Sequence, residues 1–202
     1  IDKLNVNPSL LGFGCMRFPK KEDGTIDEVE AERMLDHAIE SGVIYIDTAY
    51  PYHDGESEPF IGRVLKKYKR EDFYLATKLP MFKIDSLEQA KEIFEEQMKR
   101  LDVDYVDFYL LHALNKDTWK KVIDLNIIPY CEELKKQGRI KNFGFSFHDD
   151  YEVFEEIINY RDWDFCQIQL NYIDTDIQAG MKGYKLTEEK NVPLVIMEPI
   201  KG

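Results

Sequence analysis

The chain has 202 residues, 44% of them hydrophobic and 13% aromatic, enough to bury a sizeable core in a single domain. Its 39 acidic side chains against 27 basic ones give a formal charge of −12, which argues against nucleic acid or an anionic membrane surface as the main partner. No apolar run approaches the roughly 20 residues that span a bilayer, the start Ile1-Asp2-Lys3 does not read as a secretory leader, and the three scattered cysteines, Cys15, Cys131 and Cys166, fit a reducing cytoplasm better than a disulfide framework or a metal cluster.

Short β-branched or aromatic runs alternate with helical patterns along the whole chain. Ser9 to Phe13 is the first run, closed by Gly14. Asp27 is placed to cap a helix in which Ala31, Met34, Leu35, Ala38 and Ile39 share a face, and Gly42 ends it. Val43 to Ile46 is apolar on both faces, as in a strand buried in a parallel sheet. Pro59 suits the first turn of a helix aligning Ile61, Val64, Leu65 and Tyr68. Phe73 to Thr77 reads as the third strand, and Ser86 with Gln89 as a capping box before a helix carrying Ala90, Ile93, Phe94 and Leu101 inward. Val106 to Leu111 is the fourth strand. Trp119 to Gln137 reads as a helix interrupted at Pro129 and stopped by Gly138. Ile140 to Phe145, Phe165 to Leu170 and Pro193 to Met197 complete the strands, with helices expected at Glu152 to Asn159 and Met181 to Lys190.

Seven strands and six intervening helices in strict alternation imply a parallel sheet with right-handed crossovers. The turn Gly12-Phe13-Gly14-Cys15-Met16 lacks the third glycine of a dinucleotide-binding G-x-G-x-x-G, so a (β/α)8 barrel is preferred over an open sheet. A closed barrel needs eight strands and about 250 residues. The expectation is therefore one domain over residues 1–202, an incomplete TIM barrel without its last helix and strand units.

In such barrels the working residues stand at the C-terminal ends of the strands. Asp47, Lys78 and His112 each follow an apolar run at corresponding places, Tyr52 lies five residues beyond Asp47, Ser146 follows the fifth strand, and the sixth strand includes Gln167 and Gln169. A buried lysine at a barrel mouth requires an anionic or hydrogen-bonding partner, and Asp47 supplies it. Taken alone, Lys78 reads as a solvated side chain, His112 as a satisfied hydrogen-bond partner and Tyr52 as a residue packing a loop; the equivalent positions of Asp47, Lys78 and His112 at strand ends point them into one mouth. Cys15 reads as a packing thiol, Glu58 as a helix cap, and His148-Asp149-Asp150 as a solvated helix start, with no metal site.

The succession Asp47-Thr48-Ala49-x-x-Tyr52, Ala76-Thr77-Lys78, Leu110-Leu111-His112 and Gly144-Phe145-Ser146 resembles the motifs of the aldo-keto reductases, in order and spacing, from Leu11 to Gly202. The resemblance implies a carbonyl reductase that uses NADPH, with NADH admitted, on a small-molecule aldehyde or ketone. It makes Tyr52 the general acid, Lys78 the cation that lowers the Tyr52 pKa, Asp47 the residue that holds Lys78, and His112 the one that orients the carbonyl. It also assigns Ser146 and Gln167 to the nicotinamide carboxamide and Met197 to the nicotinamide face; Met16 and Arg17, after the first strand, are placed to touch cofactor or substrate, with a surface role for Arg17 the equal alternative. Two positions depart from the pattern: Phe147 stands where an asparagine is expected, and Met197-Glu198-Pro199 replaces a Tyr-Ser-Pro run. The wording of several motifs is similar to a microbial subgroup, some of whose members carry an iron–sulfur segment; a cluster is implied here only if chain exists beyond residue 202. Barrels of this family also serve as cofactor-binding regulatory modules, and that is the rival expectation.

Overall fold

The computed structural model describes residues 2–201, so the expectations that involve Ile1 and Gly202 lie outside the described residues. Seven strands form one sheet in sequence order: β1 (Gly12–Gly14), β2 (Tyr45–Asp47), β3 (Tyr74–Leu79), β4 (Val106–Leu114), β5 (Ile140–Phe147), β6 (Phe165–Gln169) and β7 (Leu194–Met197). Every neighbouring pair is parallel. The sheet curls into an open barrel whose two end strands are β1 and β7. The curl is visible in contacts between distant strands: Gln167 on β6 reaches Asp47 on β2 at 3.3 Å, and the Phe108 ring on β4 meets Phe165 on β6 and Tyr45 on β2 at centroid separations of 5.0 and 5.1 Å.

The period-two alternation of a strand sorts its residues between two layers. Tyr45, Ala76, Phe108, Leu110 and Phe165 form a buried cluster inside the curl, against which Leu4, Val6, Tyr74 and Val195 pack. Ile46, Leu75, Leu79, Tyr109, Leu111, Phe143, Phe145, Phe147, Cys166 and Ile168 belong to the outer core shared with the helices. This is why the strands read as apolar on both faces. Two glycines make room for rings: a Cβ on Gly12 would lie 2.9 Å from the Tyr45 ring, and one on Gly144 would lie 2.4 Å from the Phe165 carbonyl oxygen.

The helices are α1 (Glu28–Glu40), α2 (Ser57–Leu65), α3 (Leu87–Leu101), α4 (Lys116–Asp124), α5 (Ile127–Lys136), α6 (Tyr151–Tyr160) and α7 (Gly180–Lys190). Asp27 caps α1 by accepting the Glu30 amide, and Gly42 follows it at φ 90°. Ser86 caps α3 by accepting the Gln89 amide at 3.2 Å. Gln89 returns its side-chain oxygen to the amide of Asp85 rather than that of Ser86, so the expected box is displaced by one residue.

The fourth crossover corrects the expectation of a single helix broken at Pro129. It holds two helices, α4 and α5, separated at Leu125 and Asn126, where Asn126 takes a left-handed φ of 55°. Pro129 instead sits in the first turn of α5, where its missing N–H has no intrahelical partner to lose. The described residues therefore hold seven α-helices instead of six. Among them, no helix is long and apolar enough to cross a membrane.

Candidate active site

The inward layer turns polar at the C-terminal ends of the strands. Asp47 ends β2, Lys78 lies one residue before the end of β3, His112 is in β4, Ser146 in β5 and Gln167 in β6. Lys78 is only 1% exposed. Its ammonium donates to Asp47 Oδ1 at 2.5 Å, to the Thr48 carbonyl at 2.8 Å and to the Tyr52 hydroxyl at 3.2 Å. Three acceptors match the three N–H bonds of an ammonium. Burial alone pulls the Lys78 pKa down, but the Asp47 carboxylate and Tyr52 outweigh it and leave the pKa raised, so Lys78 is charged.

Tyr52 sits on the loop after β2, in a tight turn whose next three residues, His53, Asp54 and Gly55, all have positive φ. Such a run is strained at the two non-glycine positions and needs outside support. His53 Nε2 accepts the backbone N–H of Phe18 at 3.2 Å, tying the turn to the loop after β1. On the other side, Arg100 of α3 stacks on Tyr50 at 4.2 Å and donates to the Gly55 carbonyl at 3.4 Å. The expected lowering of the Tyr52 pKa is corrected by the balance of effects: burial raises it, the nearby Lys78 charge opposes this, and the result remains above the ordinary tyrosine value. Tyr52 thus keeps its proton through neutral pH.

The His112 ring stands edge-on to Tyr52 at 5.8 Å and beside Phe82 at 5.7 Å. Burial, reinforced by the Lys78 charge, holds its pKa well below the ordinary value, so the imidazole is neutral. Among the described residues its buried Nδ1 has no hydrogen-bond partner. A register shift between Leu111 and Leu114 leaves Ala113 at a φ of 53°, and the Ala113 amide donates to Ser146 Oγ at 2.8 Å. The bulge therefore links the histidine strand to the serine that follows it.

The structure brings Asp47, Tyr52, Lys78, His112 and Gln167 into one constellation, with Ser146 adjoining it through Ala113. Gln167 and Ser146 are both buried and are register partners on β6 and β5. Met197 is half-buried at the end of β7, Met16 is exposed, and Arg17 reaches from the loop after β1 to Glu198 at 3.4 Å. Phe147 points to the helix layer and packs on Phe154 at 5.2 Å, a core contact. Cys15 is fully buried with its thiol pKa pushed up by burial, and all three cysteines are free thiols. Asp149 accepts the Lys116 amide at the start of α4.

Glu58 is the clearest correction to the residue reading. Rather than capping a helix, it is fully buried and accepts from Thr77 at 2.7 Å and from Gln97 at 2.9 Å, with Arg100 at 3.6 Å. Gln97, fully buried on α3, is a further polar residue of this network that the strand-end motifs do not point to. Its signal was present in the sequence, because Ala90, Phe94, Gln97 and Leu101 keep the spacing of the apolar stripe and place an amide at a core position.

Known proteins resemble this chain in sequence and in fold. The chain is 34% identical over 147 residues to the uncharacterized oxidoreductase YqkF of Bacillus subtilis, an alignment covering 68% of this chain and 44% of that protein. It is 26% identical over 199 residues to the NADH-specific methylglyoxal reductase of Escherichia coli, covering 86% of this chain and 58% of that one. The chain thus spans about half the length of the curated relatives it matches. Among solved structures, the holo form of an aldo-keto reductase from Bacillus halodurans superposes with a TM-score of 0.77 at 30% identity, over 97% of this chain and 64% of that one. Residues 10–202 match the model of the aldo/keto reductase family, and the chain belongs to that family of oxidoreductases with its (β/α)8 barrel fold.

Proposed function

We propose that the protein reduces an aldehyde or ketone by hydride transfer from NADPH, with Tyr52 as general acid. The observation that carries this reading is the buried Lys78 ammonium shared between Asp47 and the Tyr52 hydroxyl. A neutral tyrosine holds a proton ready for a developing alkoxide, and a fixed cation beside it stabilises the phenolate left behind. Asp47 keeps the cation charged in a buried place, and neutral His112 can hydrogen-bond the carbonyl oxygen without adding a competing charge. The site fits a nicotinamide: Ser146 and Gln167 offer a hydroxyl and an amide on adjacent strands, and the buried, unpartnered Nδ1 of His112 marks polar capacity at the same mouth. When bound, the reduced nicotinamide supplies the hydride. Met197 would pack on that group, with Met16 and Arg17 at the rim.

NADH is the alternative donor, in line with the name of the Escherichia coli relative. On this reading residues 1–202 belong to one barrel domain, in which, among the described residues, β1 and β7 are the two end strands of the sheet. The three free thiols accord with a reducing cytoplasm. The test is a panel of small aldehydes and ketones offered to the whole protein with NADPH or NADH, following loss of the reduced nicotinamide absorbance. Turnover with at least one carbonyl is expected. Tight cofactor binding with no turnover across the panel would favour a regulatory module instead.

A further inference from the structure

A buried primary amide is costly unless its two N–H groups and its oxygen are all satisfied. Gln97 meets that requirement by joining four elements. Its Oε1 accepts the Tyr109 hydroxyl of β4 at 2.8 Å, which fixes the orientation of the amide. Its Nε2 lies 2.9 Å from Glu58 Oε1 on α2, 3.2 Å from Thr77 Oγ1 and 3.0 Å from the backbone carbonyl of Lys78 on β3. Thr77 itself donates to Glu58. Thr77 and Lys78 point to opposite faces of β3, so Gln97 holds the strand at the side chain of one and the carbonyl of the other. The backbone is thereby gripped on both sides of the Lys78 Cα.

Lys78 lies on the strand segment held in this way. Its contact with Tyr52, at 3.2 Å, is at the long end of an N–H···O hydrogen bond, whereas its contact with Asp47 is short. A shift of a few tenths of an ångström in β3 would break the first and keep the second. Glu58 carries the same network to Arg100, which supports the Tyr52 turn from the other side.

We propose that Gln97 is a positioning residue for the Lys78–Tyr52 pair, acting through the Lys78 carbonyl, so that the amide network behind β3 sets the proton-donating geometry without touching substrate or cofactor. The proposal rests on the catalytic reading of Lys78 and Tyr52 given above.

The experiment uses the whole protein. Gln97→Met keeps the volume and unbranched shape of the side chain and removes the amide. It is expected to lower kcat about tenfold, the scale of a sub-ångström misplacement, with KM and cofactor Kd within about twofold, and to move the pH–rate profile upward. Tyr109→Phe, which frees the orienting contact alone, is expected to act in the same direction by a smaller factor. Met98→Ala, buried on the same helix but outside the network, serves as the control for lost stability. It is expected to lower Tm while leaving kcat and the pH profile unchanged. An unchanged kcat and pH profile in Gln97→Met would overturn the proposal, as would a Met98→Ala variant that reproduced both changes. If Gln97→Met fails to fold, Tyr109→Phe decides by the same two readouts. Lys78→Met, measured in parallel, separates the two levels: normal turnover there would refute the role of Lys78 itself, whatever Gln97 does.

Discussion

Replacing Lys78 by Met perturbs the site where its charges are most closely balanced. The ammonium is the cation touching Tyr52, and at 3.2 Å its attraction for a phenolate is about 5 kcal/mol at an effective dielectric of about 20. That is an upper bound, since the wild-type site also contains the opposing Asp47 carboxylate. Without Lys78, Asp47 remains and raises the Tyr52 pKa further, so both changes make the phenol a poorer acid. The expected result is a loss of at least about 100-fold in kcat/KM and an upward move of the pKa governing reduction. Stability should also fall by about 3 kcal/mol or more, because a buried carboxylate and the Thr48 carbonyl lose their partner. Lys78→Met combined with Asp47→Asn should recover part of that stability and none of the activity, which separates folding from chemistry. Asp47→Asn alone should depress the rate less than Lys78→Met. The assay is a pH–rate profile of carbonyl reduction, with thermal unfolding measured in parallel. Turnover within tenfold of wild type and an unshifted profile in Lys78→Met would refute the coupling of Asp47, Lys78 and Tyr52.

The other expectations concern the frame around that cluster. His112 is neutral in the fold with a depressed pKa, so the unfolded chain binds its proton first as pH falls. Stability should therefore decline below about pH 6.5, by at most roughly 1.4 kcal/mol per pH unit from this residue. Denaturant unfolding of wild type and His112→Gln between pH 7.5 and 5 checks this, and equal slopes would contradict it. Gly144→Ala should cost about 2–3 kcal/mol, lowering Tm by roughly 5–10 °C, because its Cβ would meet the Phe165 carbonyl and ring; a melting curve within 2 °C or so of wild type would refute the packing argument. Gln167→Ala should weaken nicotinamide cofactor binding about fivefold, the equivalent of one net hydrogen bond, and fluorescence titration would show no change if Gln167 served only Asp47.

The barrel was legible in the sequence because its strands are apolar on both faces and its helices carry clear caps and stripes. The residues at the strand ends were legible for the same reason: Asp47, Lys78 and His112 are polar interruptions of apolar runs. Contacts that bring together residues far apart in sequence were less accessible. Glu58 looks like a first-turn carboxylate of α2, and only the approach of α3 shows that it is buried against Thr77, Gln97 and Arg100. Asn126 concealed the division between α4 and α5, since a left-handed asparagine is a weaker break signal than the proline three residues later. The Tyr52 pKa depended on a competition between burial and a neighbouring charge, and the motif alone gave only the charge.

The most direct test of the proposed chemistry compares wild type with Tyr52→Phe in the whole protein, measuring steady-state reduction of a carbonyl substrate and cofactor affinity by fluorescence titration on the same preparations. Removing the hydroxyl takes away the proposed proton donor and one of the three acceptors of Lys78 but leaves Ser146 and Gln167 in place. The expected result is loss of reduction, at least about 100-fold, with cofactor Kd changed no more than about twofold. Near-normal turnover in Tyr52→Phe would remove Tyr52 from the reaction and contradict the assignment of this cluster as a general-acid site.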